Sequence, residues 1–190
     1  LDPVGYNMIR SLRNKHGDDF LNDICATNQE HLEQNGIHGA TIRHRVKSIY
    51  GIYRKMYMQN KDFEEIYDIY AVRIIIDTVA ECYTALGLIH DMYHPLPNRF
   101  KDYISTPKPN GYQSLHTTVI GREAIPFEVQ IRTREMDRNA EYGIAAHWKY
   151  KAGITAASSD RLDERLAWVR QLLESQRSSI DATDLLSDIK

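Results

Sequence analysis

Arg43, Arg45, Lys47, Arg54 and Lys55 fall in a stretch, 43–55, that contains no acid. If 46–59 is helical, Lys47, Gly51 and Lys55 stack along one line at four-residue spacing. Two ammonium groups either side of a bare glycine, with Arg45 at the helix entrance, suit a polyphosphate. A solvated basic face fits the same composition. Asp62, Glu64, Glu65 and Asp68 follow. Asp68 differs from the others because it opens an apolar run. A carboxylate there is either a Mg²⁺ ligand, completed by substrate phosphates, or a strand-end acid held by a backbone N–H.

The segment Phe127-Glu128-Val129-Gln130-Ile131-Arg132 alternates. Glu128, Gln130 and Arg132 share one face, which is equally a site wall or a solvent face. Glu128 on such a wall would be a second metal ligand or a base for a hydroxyl proton. Asn110-Gly111 is a turn signal. Tyr112 follows it, and His116 faces the same way four residues on. With Lys108 they suit a stacked nucleotide, or else a packed loop tyrosine and a histidine satisfied in the sheet. His90-Asp91 is the metal dipeptide of one phosphohydrolase class, but it lies in a helix without its partner motifs and reads as structural.

These side chains need elements to hold them. Residues 5–35 read as helix, broken near Gly17. A short strand is expected over 40–45. A helix follows over 46–59, with Ile49, Ile52, Tyr53 and Met56 on its apolar stripe. The β-branched run at 68–76 predicts a central buried strand, and 78–93 a further helix. Prolines make 94–111 a loop. Strands at 114–120 and 127–132 flank a hairpin-like connection. Helix returns over 133–150, a linker over 152–159, and an amphipathic helix over 160–175. The pattern is α+β, a mixed β-sheet flanked by helices.

The 190 residues are 42% hydrophobic and 26% charged, ordinary globular usage that excludes a disordered tail, a collagen repeat or a coiled coil. Lys and Arg total 24, Asp and Glu 26, for a formal charge of −2. That total argues against a DNA-coating protein. No stretch approaches the roughly 18 apolar residues of a membrane span. Cys25 and Cys82 are too few for a disulfide framework and suit a reducing, cytoplasmic setting. The start Leu1-Asp2-Pro3 has no signal-peptide pattern and reads as the interior of a longer protein.

In this order the segments resemble the synthetase domain of Rel/Spo homologues, the RelA/SpoT family of GTP pyrophosphokinases that make ppGpp and pppGpp. The resemblance is carried by Arg45-Val46-Lys47 with Ile52-Tyr53-Arg54-Lys55-Met56, by Tyr67-Asp68-Ile69-Tyr70-Ala71-Val72-Arg73 and by Arg99-Phe100-Lys101-Asp102-Tyr103-Ile104. Pro107 through Thr118, Glu128-Val129-Gln130-Ile131-Arg132-Thr133 and Glu141-Tyr142-Gly143-Ile144-Ala145-Ala146-His147-Trp148 continue it. It implies a nucleotidyltransferase-like fold. It also implies transfer of the β,γ-pyrophosphate of ATP to the 3′-hydroxyl of GDP or GTP, with release of AMP.

Under the resemblance, Arg45, Lys47, Arg54 and Lys55 bind ATP. Asp68 and Glu128 are catalytic and hold Mg²⁺, with Mn²⁺ as an alternative. Lys108, Asn110, Tyr112 and His116 receive the acceptor, Tyr112 by stacking on guanine. Arg99, Lys101 and Asp102 form a specificity motif similar to that of bifunctional Rel enzymes. Ser48 and Gly51 stand where many members carry His and Ser, and Gly51 is expected to let phosphates approach the helix backbone. The chain divides into a helical linker (1–36), the synthetase domain (37–153) and a helical extension (154–190). The implied partners are ATP and GDP or GTP. In a full-length protein they extend to an N-terminal hydrolase domain, C-terminal regulatory domains and the ribosome. Neither a membrane nor direct DNA binding is expected. A catalytically silent nucleotide-binding regulatory domain is the alternative, although a pure binder needs no pair of metal carboxylates.

Overall fold

The computed structural model describes residues 3–121 and 124–151. Helices Pro3–Arg13 (α1) and Gly17–Gln34 (α2) precede strand Thr41–Val46 (β1), helix Ile49–Met58 (α3), strand Tyr70–Ile76 (β2) and helix Val79–Met92 (α4). Strands His94–Pro95 (β3), Lys101–Asp102 (β4), Leu115–Ile120 (β5) and Pro126–Thr133 (β6) follow, then helix Arg134–Lys151 (α5). One sheet runs in the order β1-β2-β6-β5-β3, with β4 also paired to β5. β2 and β6 are parallel; the other pairs are antiparallel. The fold is the expected mixed sheet flanked by helices.

Strand register separates the two faces of this sheet. Arg45 lies opposite Ala71, Ala71 opposite Glu128, and Glu128 opposite Thr118. The neighbouring row reads Arg43, Arg73, Gln130, His116 and Lys101 across β1, β2, β6, β5 and β4. Side chains alternate along a strand, so both rows share one polar face. The other face carries Tyr70, Val72, Ile74, Ile76, Leu115, Val119, Phe127, Val129 and Ile131, all buried. Each such side chain contributes about 1.5–3 kcal/mol on leaving water. Phe20 of α2 meets Phe127 edge-on at 6.5 Å, and Tyr93 after α4 does so at 5.1 Å. Cys82, Ala85 and Ile89 form the buried stripe of α4.

Caps fix the helix starts. Thr78 Oγ1 accepts from the Glu81 N–H at 3.2 Å for α4, and Thr133 Oγ1 from the Met136 N–H at 3.2 Å for α5. α3 starts later than expected. Val46 is still paired to Tyr70, the Lys47 N–H donates to the Ile69 carbonyl at 2.7 Å, and Ser48 caps the helix through the Gly51 N–H at 3.0 Å. Asp68 lies in the turn before β2 rather than in the strand itself. β3 and β4 are too short to leave a period in the sequence. Residues 1–36, expected as a linker, contribute Ile9, Leu21, Ile24 and Leu32 to the same core as the sheet. The expected linker at 152–159 and helix at 160–175 lie outside the described residues.

Candidate active site

Because β2 and β6 run parallel, residues just before or early in both emerge at the same end of the sheet. Asp68 precedes β2 and Glu128 is the third residue of β6. Both line one cleft of about 100 Å³, together with Lys55, Tyr67, Arg99 and Thr118. The acids that sequence alone placed in separate segments therefore share a site.

Asp68 is held by two lysines. Its Oδ2 lies 2.7 Å from Lys55 Nζ and 3.3 Å from Lys47 Nζ. Lys55 comes from α3, but Lys47 precedes the helix, and its side chain is 2% exposed. This corrects both a helical line of Lys47, Gly51 and Lys55 and a solvated basic face: the two ammoniums converge on one carboxylate from different elements. Gly51 has a local explanation as well. A Cβ there would lie 3.1 Å from Lys47 Cγ and 3.1 Å from Ser48 Oγ. The bare glycine makes room for the buried lysine stem. Burial pushes the Asp68 carboxyl up, but Lys47 and Lys55 outweigh it and hold the group below the usual carboxylate range. Arg45 sits on the polar face of β1 and Arg54 on α3, and neither is among the residues lining the cleft.

Glu128 Oε1 accepts from Gln130 Nε2 at 2.8 Å and lies 3.5 Å from His116 Nδ1. The polar face of β6 is a buried wall, since Gln130 is 2% and Arg132 0% exposed. Asp68 and Glu128 are hard oxygen donors with no nitrogen or sulfur ligand between them. That set fits Mg²⁺, which takes one or two carboxylates and completes its shell with water and phosphate. The positive charges now against Asp68 are the two ammoniums, which an incoming polyphosphate would draw away.

Of the two readings open for Tyr112, a ring offered for stacking or a packed loop tyrosine, burial favours packing, since it is 6% exposed. Its hydroxyl is 2.7 Å from His116 Nε2. Lys108 Nζ lies 5.5 Å and Arg132 Cζ 5.8 Å from its ring centroid, so a stacking base would take the place of Lys108. Asn110 Oδ1 accepts from the Tyr112 N–H at 3.0 Å, closing the turn that Gly111 permits at φ +83°.

The three residues expected as a specificity motif lie in different settings. Arg99 stacks 4.5 Å above the Tyr67 ring in the cleft. Lys101 pairs with His116 on the polar face. Asp102 holds the loop, accepting from the Ile104 and Ser105 N–H groups and from Tyr83 Oη. His90 Nε2 is 2.8 Å from Thr117 Oγ1, and burial lowers its basicity, in keeping with a structural role.

Sequence reasoning missed Arg73 and Asp137, and placed Gln130 and Arg132 only on a polar face. Asp137 Oδ1 is 2.9 Å from Arg132 Nε and 3.6 Å from Arg73 Nη1. The alternation of β6 was the available signal for Gln130 and Arg132; an acid in the first turn of a helix, as Asp137 is, gave none.

A family model described as a region found in RelA / SpoT proteins matches residues 44–155. The chain is 49% identical over 195 residues to a probable guanosine-3′,5′-bis(diphosphate) 3′-pyrophosphohydrolase from Synechocystis sp., covering 100% of this chain and 26% of that protein. It is 48% identical over 178 residues to a GTP pyrophosphokinase from Myxococcus xanthus, covering 94% and 23%. The chain thus spans about a quarter of the length of these relatives. Among solved structures, small alarmone synthetase 2 from Bacillus subtilis superposes with a TM-score of 0.55 at 29% identity, covering 83% of this chain and 89% of that one.

Proposed function

The chain belongs to the RelA/SpoT family, and from that premise we propose that it is a (p)ppGpp synthetase segment. It transfers the β,γ-pyrophosphate of ATP to the 3′-hydroxyl of GDP or GTP. One observation carries this reading: Asp68 and Glu128 share a cleft with Lys55 and Arg99, while Lys47 reaches Asp68 from behind. The acceptor 3′-oxygen attacks the β-phosphorus, the bond from that phosphorus to the α–β bridging oxygen breaks, and AMP leaves with the bridging oxygen. Glu128 takes the hydroxyl proton. Lys47 and Lys55 transfer their charge from Asp68 to the triphosphate, and Arg99 adds a cation at the cleft wall. Arg45 and Arg54 supply further positive charge along the donor side. Tyr112 orients the acceptor base, with Lys108, Asn110 and His116 around it. Positioning and charge do most of the work in such transfers.

Asp68 and Glu128 would hold the Mg²⁺, or Mn²⁺, that neutralises the phosphates. Among the described residues no three His, Cys, Asp or Glu side chains gather as a metal site, and His90 is engaged by Thr117. No described helix is long and apolar enough to cross a membrane. For the full-length protein the proposal extends to hydrolase and regulatory domains, supported by the much greater length of the relatives; a cytoplasmic setting and the ribosome rest on the family resemblance alone.

The test is direct. Labelled ATP with GDP or GTP and Mg²⁺ is expected to yield AMP and a 3′-pyrophosphorylated guanine nucleotide. Glu128→Gln should lower the rate about 10²- to 10⁴-fold. Nucleotide binding without product would identify a silent binding domain instead.

A further inference from the structure

Arg132 is fully buried and Asp137 nearly so. An apolar pair of similar volume would fasten α5 to the sheet without desolvating two charges, so the charges need another reason. Asp137 Oδ1 accepts from Arg132 Nε at 2.9 Å. Arg132 Nη2 lies 2.6 Å from the same oxygen, an ion contact off the hydrogen-bond axis. Arg73 Nη1 is 3.6 Å from that oxygen.

Two arms run from this anchor to the cleft. In one, Arg132 Nη1 donates to the Tyr112 hydroxyl at 3.4 Å, that hydroxyl is 2.7 Å from His116 Nε2, and His116 Nδ1 is 3.5 Å from Glu128 Oε1. In the other, Arg73 Nε and Nη2 reach Gln130 Oε1 at 3.4 Å each, and Gln130 Nε2 donates to Glu128 Oε1 at 2.8 Å. The arms close on one oxygen. Their proton directions agree as well. With Arg132 donating to the phenol oxygen, Tyr112 donates to Nε2, and the N–H of His116 at Nδ1 faces Glu128.

We propose that Asp137 and Arg132 are positioning residues that lock Tyr112 and Glu128, the two ends of the acceptor site, into one rigid unit. The inference rests on the synthetase reading for its consequence. Neither residue touches substrate; both act through side chains that do.

The test replaces the pair with an apolar one, Arg132→Met/Asp137→Leu, in the whole 190-residue chain. The double variant is expected to melt near the wild type. Its kcat should fall about tenfold to a hundredfold and its acceptor KM should rise, while the ATP KM rises less than the acceptor KM, because Lys47, Lys55 and Asp68 lie outside the ring and only Glu128 is shared. Nitrogen-15 spectra of histidine should show His116 losing its preference for the Nδ1–H tautomer. A merely structural pair would give back activity with stability, so wild-type kcat and acceptor KM in the double variant overturn the inference. A wild-type chain that forms no product overturns the synthetase reading instead. The His116 tautomer then decides alone, and an unchanged tautomer in the double variant overturns the ring. If the double variant does not fold, Asp137→Asn is read by the same split. Equal loss towards both nucleotides overturns the inference, and recovery of the acceptor KM in Asp137→Glu supports it.

Discussion

Lys47 has little solvent to fall back on, with a side chain 2% exposed and its ammonium 3.3 Å from Asp68. Asp68→Asn therefore removes a carboxylate charge from beside a buried cation, and breaking such a pair costs about 3 kcal/mol. The partly exposed Lys55 can turn to water and adds little to that loss. Urea titration of the variant should show the drop, and adding Lys47→Met should recover most of it. The same contact predicts a pH response. Burial raises the Asp68 carboxyl, the lysines more than reverse this, and the folded group lies below its unfolded value. Its contribution is complete above about pH 4, the ordinary aspartate range, and is lost as pH falls through the lower folded value. Stability measured across that acid window should decline less steeply in Asp68→Asn. Asp68 and Glu128 were legible as acids beside apolar strands. Their closeness was not, because it depends on the parallel pairing of β2 with β6, and no local pattern encodes which strands become neighbours.

The elements nearest the site show where sequence reading slipped. Periodicity placed α3 over 46–59, and its apolar stripe is real, with Ile52 fully buried. The start was wrong because Val46 and Lys47 are held by strand pairing before Ser48 caps the helix. Short helices are marginal without tertiary support, so Ser48→Ala should cost about 1 kcal/mol, read as a lower urea midpoint at unchanged slope. Gly51→Ala tests the neighbouring contact. In an open helix this change gains about 1 kcal/mol. Here the new methyl would meet Lys47 Cγ and Ser48 Oγ at 3.1 Å, and the lysine is pinned at its far end by Asp68. The helix gain should vanish as Lys47 shifts, and ATP affinity should fall about fivefold, equivalent to about 1 kcal/mol. Titration calorimetry with ATP checks it, and unchanged affinity would show that Lys47 adapts freely.

At the scale of the molecule, the polar and apolar faces of one sheet divide the labour. The helical pattern of 1–36 was plain in the sequence, but its place was not, since an amphipathic helix pair suits a linker as well as a core layer. The structure decides by burial. Ile9, Leu21 and Leu32 are each fully buried, Phe20 packs edge-on against Tyr70 and Phe127, and Tyr70 Oη donates to the Arg13 carbonyl at 2.8 Å. At about 1.5–3 kcal/mol for each buried side chain, those three alone contribute roughly 5–9 kcal/mol. Whole domains are stable by only about 5–15 kcal/mol. Deleting residues 1–36 would also strip cover from Phe127 and Tyr70, on the sheet face opposite the site. The chain beginning at Ile37 is therefore expected to lose cooperative unfolding by circular dichroism, and to lose synthesis with it, although every proposed site residue is still present. If it instead unfolds cooperatively within about 2 kcal/mol of the full chain, the helices are a connection after all, and the sheet holds Asp68 and Glu128 without them.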